Sequence, residues 1–181
     1  MRRRLLGLAT SAAVFAGAML VPTTALASNP CTGATSWWAP SDSDSRWIVP
    51  PNGSGGSITS QFNASWKRAD LGLGGICYAI SGTSKTSWLG SVPFNANKVQ
   101  LVDQWHTDGI AISLGIPGGV GFSGTGSTIK WSTSLSNVWT LSHNFVDVWF
   151  TGLIFTGWWE QATGYYTFGG DSFNVNSFKS R

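Results

Sequence analysis

The segment VWTLSHNFVDVWFTGLIFTGWW, Val138 to Trp159, carries Trp139, Leu141, Phe145, Trp149, Leu153, Phe155 and Trp159 on odd positions only. A period of two marks a half-buried β-strand, because successive side chains point to opposite faces. The run is longer than an ordinary strand, so it predicts two strands broken by a tight hairpin at Thr151-Gly152.

Neighbouring segments read the same way. Tyr165 to Phe168 and Phe173 to Phe178 predict strands, set off by turns at Gln161-Ala162-Thr163-Gly164 and Gly169-Gly170-Asp171-Ser172. Ile76, Tyr78 and Ile80 share one strand face, with Cys77 on the other. Val99, Leu101 and Asp103 share a face of a strand ending at Trp105, and Ile129 and Trp131 mark another. Outside the first residues no run of Ala, Leu, Glu, Lys and Arg favours a long helix. The pattern predicts an all-β, single-domain antiparallel sandwich, or a closed barrel, of about eight to ten short strands.

The first 27 residues, MRRRLLGLATSAAVFAGAMLVPTTALA, have the form of a secretory signal peptide. Arg2 to Arg4 form its basic start, Leu5 to Leu20 its apolar centre, and Ala25-Leu26-Ala27 a small-residue site before Ser28. The apolar stretch is too short and too interrupted by Gly and Ala to predict a membrane span. A secreted, extracellular protein is expected. Residues 28–56 hold Pro30, Pro40, Pro50, Pro51, a Ser-Asp repeat and the joint Asn52 to Gly56, which predicts an irregular lead-in. The all-β domain is expected over 57–181.

Loss of the leader removes three of the 11 basic residues, and the remaining eight balance the eight acidic ones. A neutral domain has no long-range field to gather polyanions, and Lys67-Arg68 is no basic stripe, so nucleic acid is not an expected partner. Cys31 and Cys77 are the only cysteines. In an oxidising compartment they predict one structural disulfide, since neither CxxC spacing nor a cytosolic setting suggests metal or redox chemistry.

Catalytic patterns are mostly missing. Glu160 is the only glutamate, whereas exported all-β glycosidases of the small jelly-roll xylanase type need two facing carboxylates. Asp103, Asp108, Asp147 and Asp171 are candidate partners that the spacing does not separate. Copper polysaccharide oxygenases need histidine as the first mature residue, which Ser28 is not. His106 and His143 permit a triad with Asp108 or Asp147, or a metal site with Asp108, but no Gly-x-Ser-x-Gly elbow occurs, and two scattered histidines fall short of a zinc set. Gly119 to Gly124 matches GxGxxG, yet no amphipathic helix follows it. No enzyme, cofactor or metal is expected.

All 11 tryptophans follow the leader. Adjacent residues in a strand face opposite ways, so one indole of Trp158-Trp159 is expected to face outward. Trp158, Trp159, Tyr165, Tyr166 and Trp105 are the expected ligand-binding aromatics, suited to stacking on a sugar ring or anchoring a partner. The expected function is an exported, non-catalytic binding module. Its expected partners are a polysaccharide, an envelope component or an exported protein.

The alternative is a membrane-active toxin or toxin subunit. Ile110, Ile112, Leu114 and Ile116 alternate with Ala111, Ser113 and Gly115, Pro117-Gly118-Gly119 suggests a turn, and Val120 and Phe122 begin a return strand. Such a hairpin turns one apolar face toward lipid, although seven residues are fewer than the roughly nine to eleven that a spanning strand needs. Only this alternative makes a membrane a partner.

Overall fold

The computed structural model describes residues 29–115, 122–125 and 127–181. The leader with its cleavage point, the Pro117-Gly118-Gly119 turn, Ile116 and Val120 lie outside the described residues. Among the described residues there are eleven strands and no helix. In chain order they are β1 (Thr35–Trp38), β2 (Ser41–Ile48), β3 (Gly56–Gly72), β4 (Gly75–Leu89), β5 (Ala96–Ile110), β6 (Ser113–Gly115), β7 (Phe122–Thr125), β8 (Thr128–Val138), β9 (Thr140–Gly152), β10 (Ile154–Phe168) and β11 (Asp171–Ser180).

Two antiparallel sheets form a sandwich-like all-β fold. The first runs β1-β3-β4-β9-β6, with β2 also on β3, and the second runs β11-β10-β5-β8-β7. The barrel alternative is not realised, because the sheets stay separate. Nor are the strands uniformly short: β3 has 17 residues. Its length follows from unbroken alternation, with Ile58, Ser60, Phe62, Ala64 and Trp66 buried and the residues between them facing out.

The core lies between the sheets. Trp66, Trp88, Trp105, Tyr166, Phe145 and Phe150 are enclosed there. Trp66 stacks on Phe150 at 6.1 Å between centroids, and Trp88 Nε1 donates to Pro93 O at 2.7 Å. Burying a large apolar side chain contributes about 1.5–3 kcal/mol, which explains how a chain so poor in charge holds together. Cys31 and Cys77 form the expected disulfide, with Cα atoms 5.4 Å apart, and this ties the N-terminal segment to β4.

The expected irregular lead-in over residues 28–56 instead contains two strands, β1 and β2. β1 and β2 lie end to end along one edge of β3, with Thr35 opposite Arg68 and Ser41 opposite Asn63. The prolines stand at the joints: Pro40 separates the two strands and Pro50 follows the second, where no ladder N–H is needed. The Pro40 carbonyl still accepts from Ala64 N–H at 2.9 Å. The Ser-Asp repeat forms an edge strand.

The odd-numbered stripe of Val138–Trp159 does not survive as one face. In β9 Gly82 pairs with Phe145 and Ile80 with Val148, so Val146 and Asp147 together oppose Ser81. This bulge flips the parity. Leu141 and Phe145 point inward before it, Val148 and Phe150 after it, and Trp149 is turned to the outer side, where its ring lies against Gly115. The chain does break next to Gly152, but not in a hairpin. β9 and β10 belong to different sheets, and Leu153 is the corner between them. The turn expected at Gln161 to Gly164 is likewise continuous β10.

The Ile110–Phe122 hairpin is also corrected. Ile110 ends β5 in the second sheet, Ala111 takes a positive φ of 57°, and Ile112 lies between strands. Leu114 then pairs with Phe150 in the first sheet, while Phe122 pairs with Trp131 in the second. The bend at Ala111 separates Ile110 in the second sheet from Leu114 in the first, and because Phe122 belongs to the second sheet, Leu114 and Phe122 are not partners.

Candidate functional site

The five nominated aromatics do not form one patch. Trp105 and Tyr166 are wholly buried, with the Trp105 ring 4.8 Å from Phe145, so neither reaches a ligand. Trp158 turns inward and packs on Trp37 at 4.7 Å and Tyr78 at 5.6 Å. Trp159 is the outward member of the pair, but it stacks on His106 at 4.9 Å and 13° and has Phe178 5.9 Å away. Because β5 and β11 flank β10, these two rings occupy either side of the indole. Tyr165 is exposed on the same outer face, six residues or about 20 Å along the strand from Trp159.

Between the sheets the fold assembles a polar cluster that spacing alone could not single out. Asp103 lies opposite Ala162 and Trp105 opposite Glu160, so the two acids are diagonal neighbours on one inner face. Each is only 2% exposed. Asp103 Oδ2 accepts from Ser84 Oγ at 2.6 Å and faces His143 Nδ1 at 2.7 Å. The His143 ring lies parallel to Trp131 at 3.4 Å. Glu160 Oε2 accepts from Trp66 Nε1 at 2.9 Å.

Burial dominates the electrostatics of both acids. It pushes Glu160 up to about 8, against the Trp66 hydrogen bond and with help from nearby Asp103. The Trp105 indole also favours the charged form, from outside hydrogen-bonding geometry. Burial raises Asp103 as well, opposed by its bonds to His143 and Ser84. The arrangement is not a Ser–His–Asp triad, since the carboxylate stands between hydroxyl and imidazole and the serine donates to the acid. Neither acid lines the surface depressions that contain Lys85, Trp139 or Lys67.

His106 is remote from this cluster, on the outer face of the second sheet, where it meets Thr128 Oγ1 at 2.7 Å and Asp108 Oδ1 at 2.9 Å. The set His106, Asp108 and His143 is therefore not assembled. Among the described residues no group of three or more His, Cys, Asp or Glu side chains is placed to hold a metal ion.

The outer face of the first sheet presents a different surface. Strand register lines up Ser41, Asn63, Thr83 and Asn144 in one row, Ser43, Gln61, Lys85 and Ser142 in the next, and Ser45, Thr59, Ser87 and Thr140 in a third. A fourth row begins with Trp47, Ser57 and Leu89. A shallow depression of about 580 Å³ covers the first two rows. A second, of about 550 Å³, shares Ser43, Gln61 and Lys85 with it and runs on to Leu89 and Trp139. Rows two residues apart are about 6.7 Å apart, so the groove is about 20 Å long.

The floor is almost all hydroxyl and amide, with Lys85 the one cation lining either depression and Asp42 and Asp44 on β2. Trp139 is 40% exposed and Trp47 68% exposed. They are the most accessible indoles at this face, and the reading of the chain missed both. Alternation counts Trp139 in the odd-numbered stripe, yet it sits between β8 and β9, its carbonyl accepting from Trp88 N–H. The polar outer positions of β2, β3, β4 and β9 carry a signal in retrospect: Ser, Thr, Asn, Gln or Lys recurs at every second residue. No known protein family matches the chain, and no curated protein or solved structure is similar to it.

Proposed function

We propose that this chain is an exported, non-catalytic binding module that holds a polysaccharide along the outer face of the first sheet. The observation that carries the reading is the continuous polar groove ending at an exposed indole. A pyranose ring offers an apolar C–H face and a rim of hydroxyls. The indole of Trp139 matches the first, and Asn63, Gln61, Thr83, Lys85 and Asn144 match the second. Length and shallowness favour a chain of sugars over a small enclosed ligand. The charges in the lining, Lys85 against Asp42 and Asp44, nearly cancel, which favours a neutral polymer.

Native gel electrophoresis through dissolved polysaccharides tests this. One neutral polymer should retard the protein, and Trp139→Ala should remove the retardation while Trp159→Ala, whose indole is flanked by His106 and Phe178, leaves it intact. Retardation unchanged in Trp139→Ala would refute the groove.

A further inference from the structure

We infer that the end of the sandwich opposite Trp139 is a docking tip for a phospholipid surface. Five aliphatic side chains stand in solvent there: Leu71, Leu73, Ile110, Leu153 and Ile154. They come from three connections that the fold brings together. Leu153 N–H donates to Ile110 O at 3.1 Å, Ile154 pairs with Ile110, and Ile76 pairs with Gly152 next to the corner. The β3–β4 turn projects beyond that line, with Leu73 at its apex between Gly72 and Gly74, all three at positive φ.

Charge is layered along the same axis. Residues 71–79, 109–115 and 148–159 contain no Asp, Glu, Lys or Arg. Behind the aliphatic tips come the half-buried rings of Trp37, Phe155 and Trp158, closed around the buried Tyr78, which lies 4.7 Å from Trp37 and 4.8 Å from Phe155. Cations follow at this level: Lys67 and Arg68 on β3 opposite β1, and Arg181 lying 4.4 Å over the Trp37 ring. The acids at this end are already engaged, Asp70 by Arg68 at 2.9 Å and Asp108 by His106, so the net positive charge at this level comes from Lys67 and Arg181.

Aliphatic tips, then aromatics, then cations is the order in which a bilayer interface presents acyl chains, the headgroup boundary and phosphates. The tips are convex and protruding, which suits a deformable apolar phase; a folded partner would need a matching pocket for each. The occupant is therefore an anionic phospholipid surface. A molecule docked this way would hold the Trp139 end of its groove away from the lipid.

Purified protein should co-sediment with vesicles of equal parts phosphatidylcholine and phosphatidylglycerol, with a shift of tryptophan emission to shorter wavelength. Leu73→Asp and the double variant Leu153→Asp/Ile154→Asp alter exposed side chains, so both should keep the parent's thermal melt and near-UV spectrum. Each should weaken vesicle partition by about tenfold or more, while Trp139→Ala partitions normally. Absence of co-sedimentation by the parent protein, or equal partition of the aspartate variants, overturns the inference. So does a dimer in light scattering that these variants dissolve without any vesicle binding, which would make the tip a self-association surface.

Discussion

Trp66 on β3 donates its indole N–H to Glu160 on β10 at 2.9 Å, one polar bond across the apolar space between the two sheets. It meets a carboxyl that burial has pushed up to about 8 from an ordinary 4.5. The lone glutamate is thus held as a neutral acid at moderate pH, inside a core that would otherwise have to bury its charge.

That relationship sets a pH dependence. Between pH 4.5 and 8 the folded chain binds a proton at Glu160 that the unfolded chain has released. Stability from this group is therefore full below pH 4.5 and is lost as pH rises to 8, at no more than about 1.4 kcal/mol per unit. The raised Asp103 acts in the same direction. Urea midpoints measured across that range should fall with pH in the parent and fall less in Glu160→Gln, a neutral isostere. Equal slopes in both proteins would place the dependence elsewhere.

Trp105 and Trp139 should separate stability from binding. Trp105 is fully enclosed, so Trp105→Ala should cost about 3–5 kcal/mol in denaturant unfolding. Trp139 is 40% exposed, so Trp139→Ala should stay within about 1 kcal/mol of the parent. A large loss from Trp139→Ala would mean that the indole is structural.

Reduction of the Cys31–Cys77 bond, which spans 46 residues of chain, should lower stability by about 4 kcal/mol on the chain-entropy account. Unfolding curves with and without reductant give the difference directly. The N-terminal segment before β1 should become the first site of proteolysis, because the bond is what joins it to β4.

Gly164 faces inward on β10, where an added Cβ would collide with Thr86 Oγ1 and come within 3.1 Å of the Tyr166 ring. Thr86 already donates to Thr59 O at 2.7 Å and is bonded to the Tyr166 hydroxyl. Gly164→Ala should therefore destabilise by about 1–3 kcal/mol through forced separation of the sheets. The neighbouring outward change Tyr165→Ala should be close to neutral, and a melting curve for each decides it.

Legibility in the chain was uneven for reasons visible in particular residues. Strand character at Ile76–Ile80, Val99–Trp105 and Ile129–Trp131 was readable because alternation is a local property. So was the opposite orientation of Trp158 and Trp159. The polar groove was not, since its rows join β2, β3, β4 and β9, up to about 100 residues apart in sequence, and only register brings Ser43, Gln61, Lys85 and Ser142 into one line. Asp103 was one of four aspartates that could accompany Glu160; pairing of β5 with β10 selected it.

By itself, then, the sequence determined an all-β chain with two bonded cysteines, because period-two burial and the presence of only two thiols are facts of the local order of residues. Sheet membership was decided by the tertiary structure. A strand alternates in the same way whichever neighbour it pairs with, so nothing in Val138–Trp159 says that Leu153 is a corner between layers, and nothing in Ile110–Phe122 says that Leu114 and Phe122 belong to different sheets. The bulge at Val146-Asp147 likewise depends on β4 offering one residue against two. Which indoles face solvent, and where a ligand could lie, follows from those pairings.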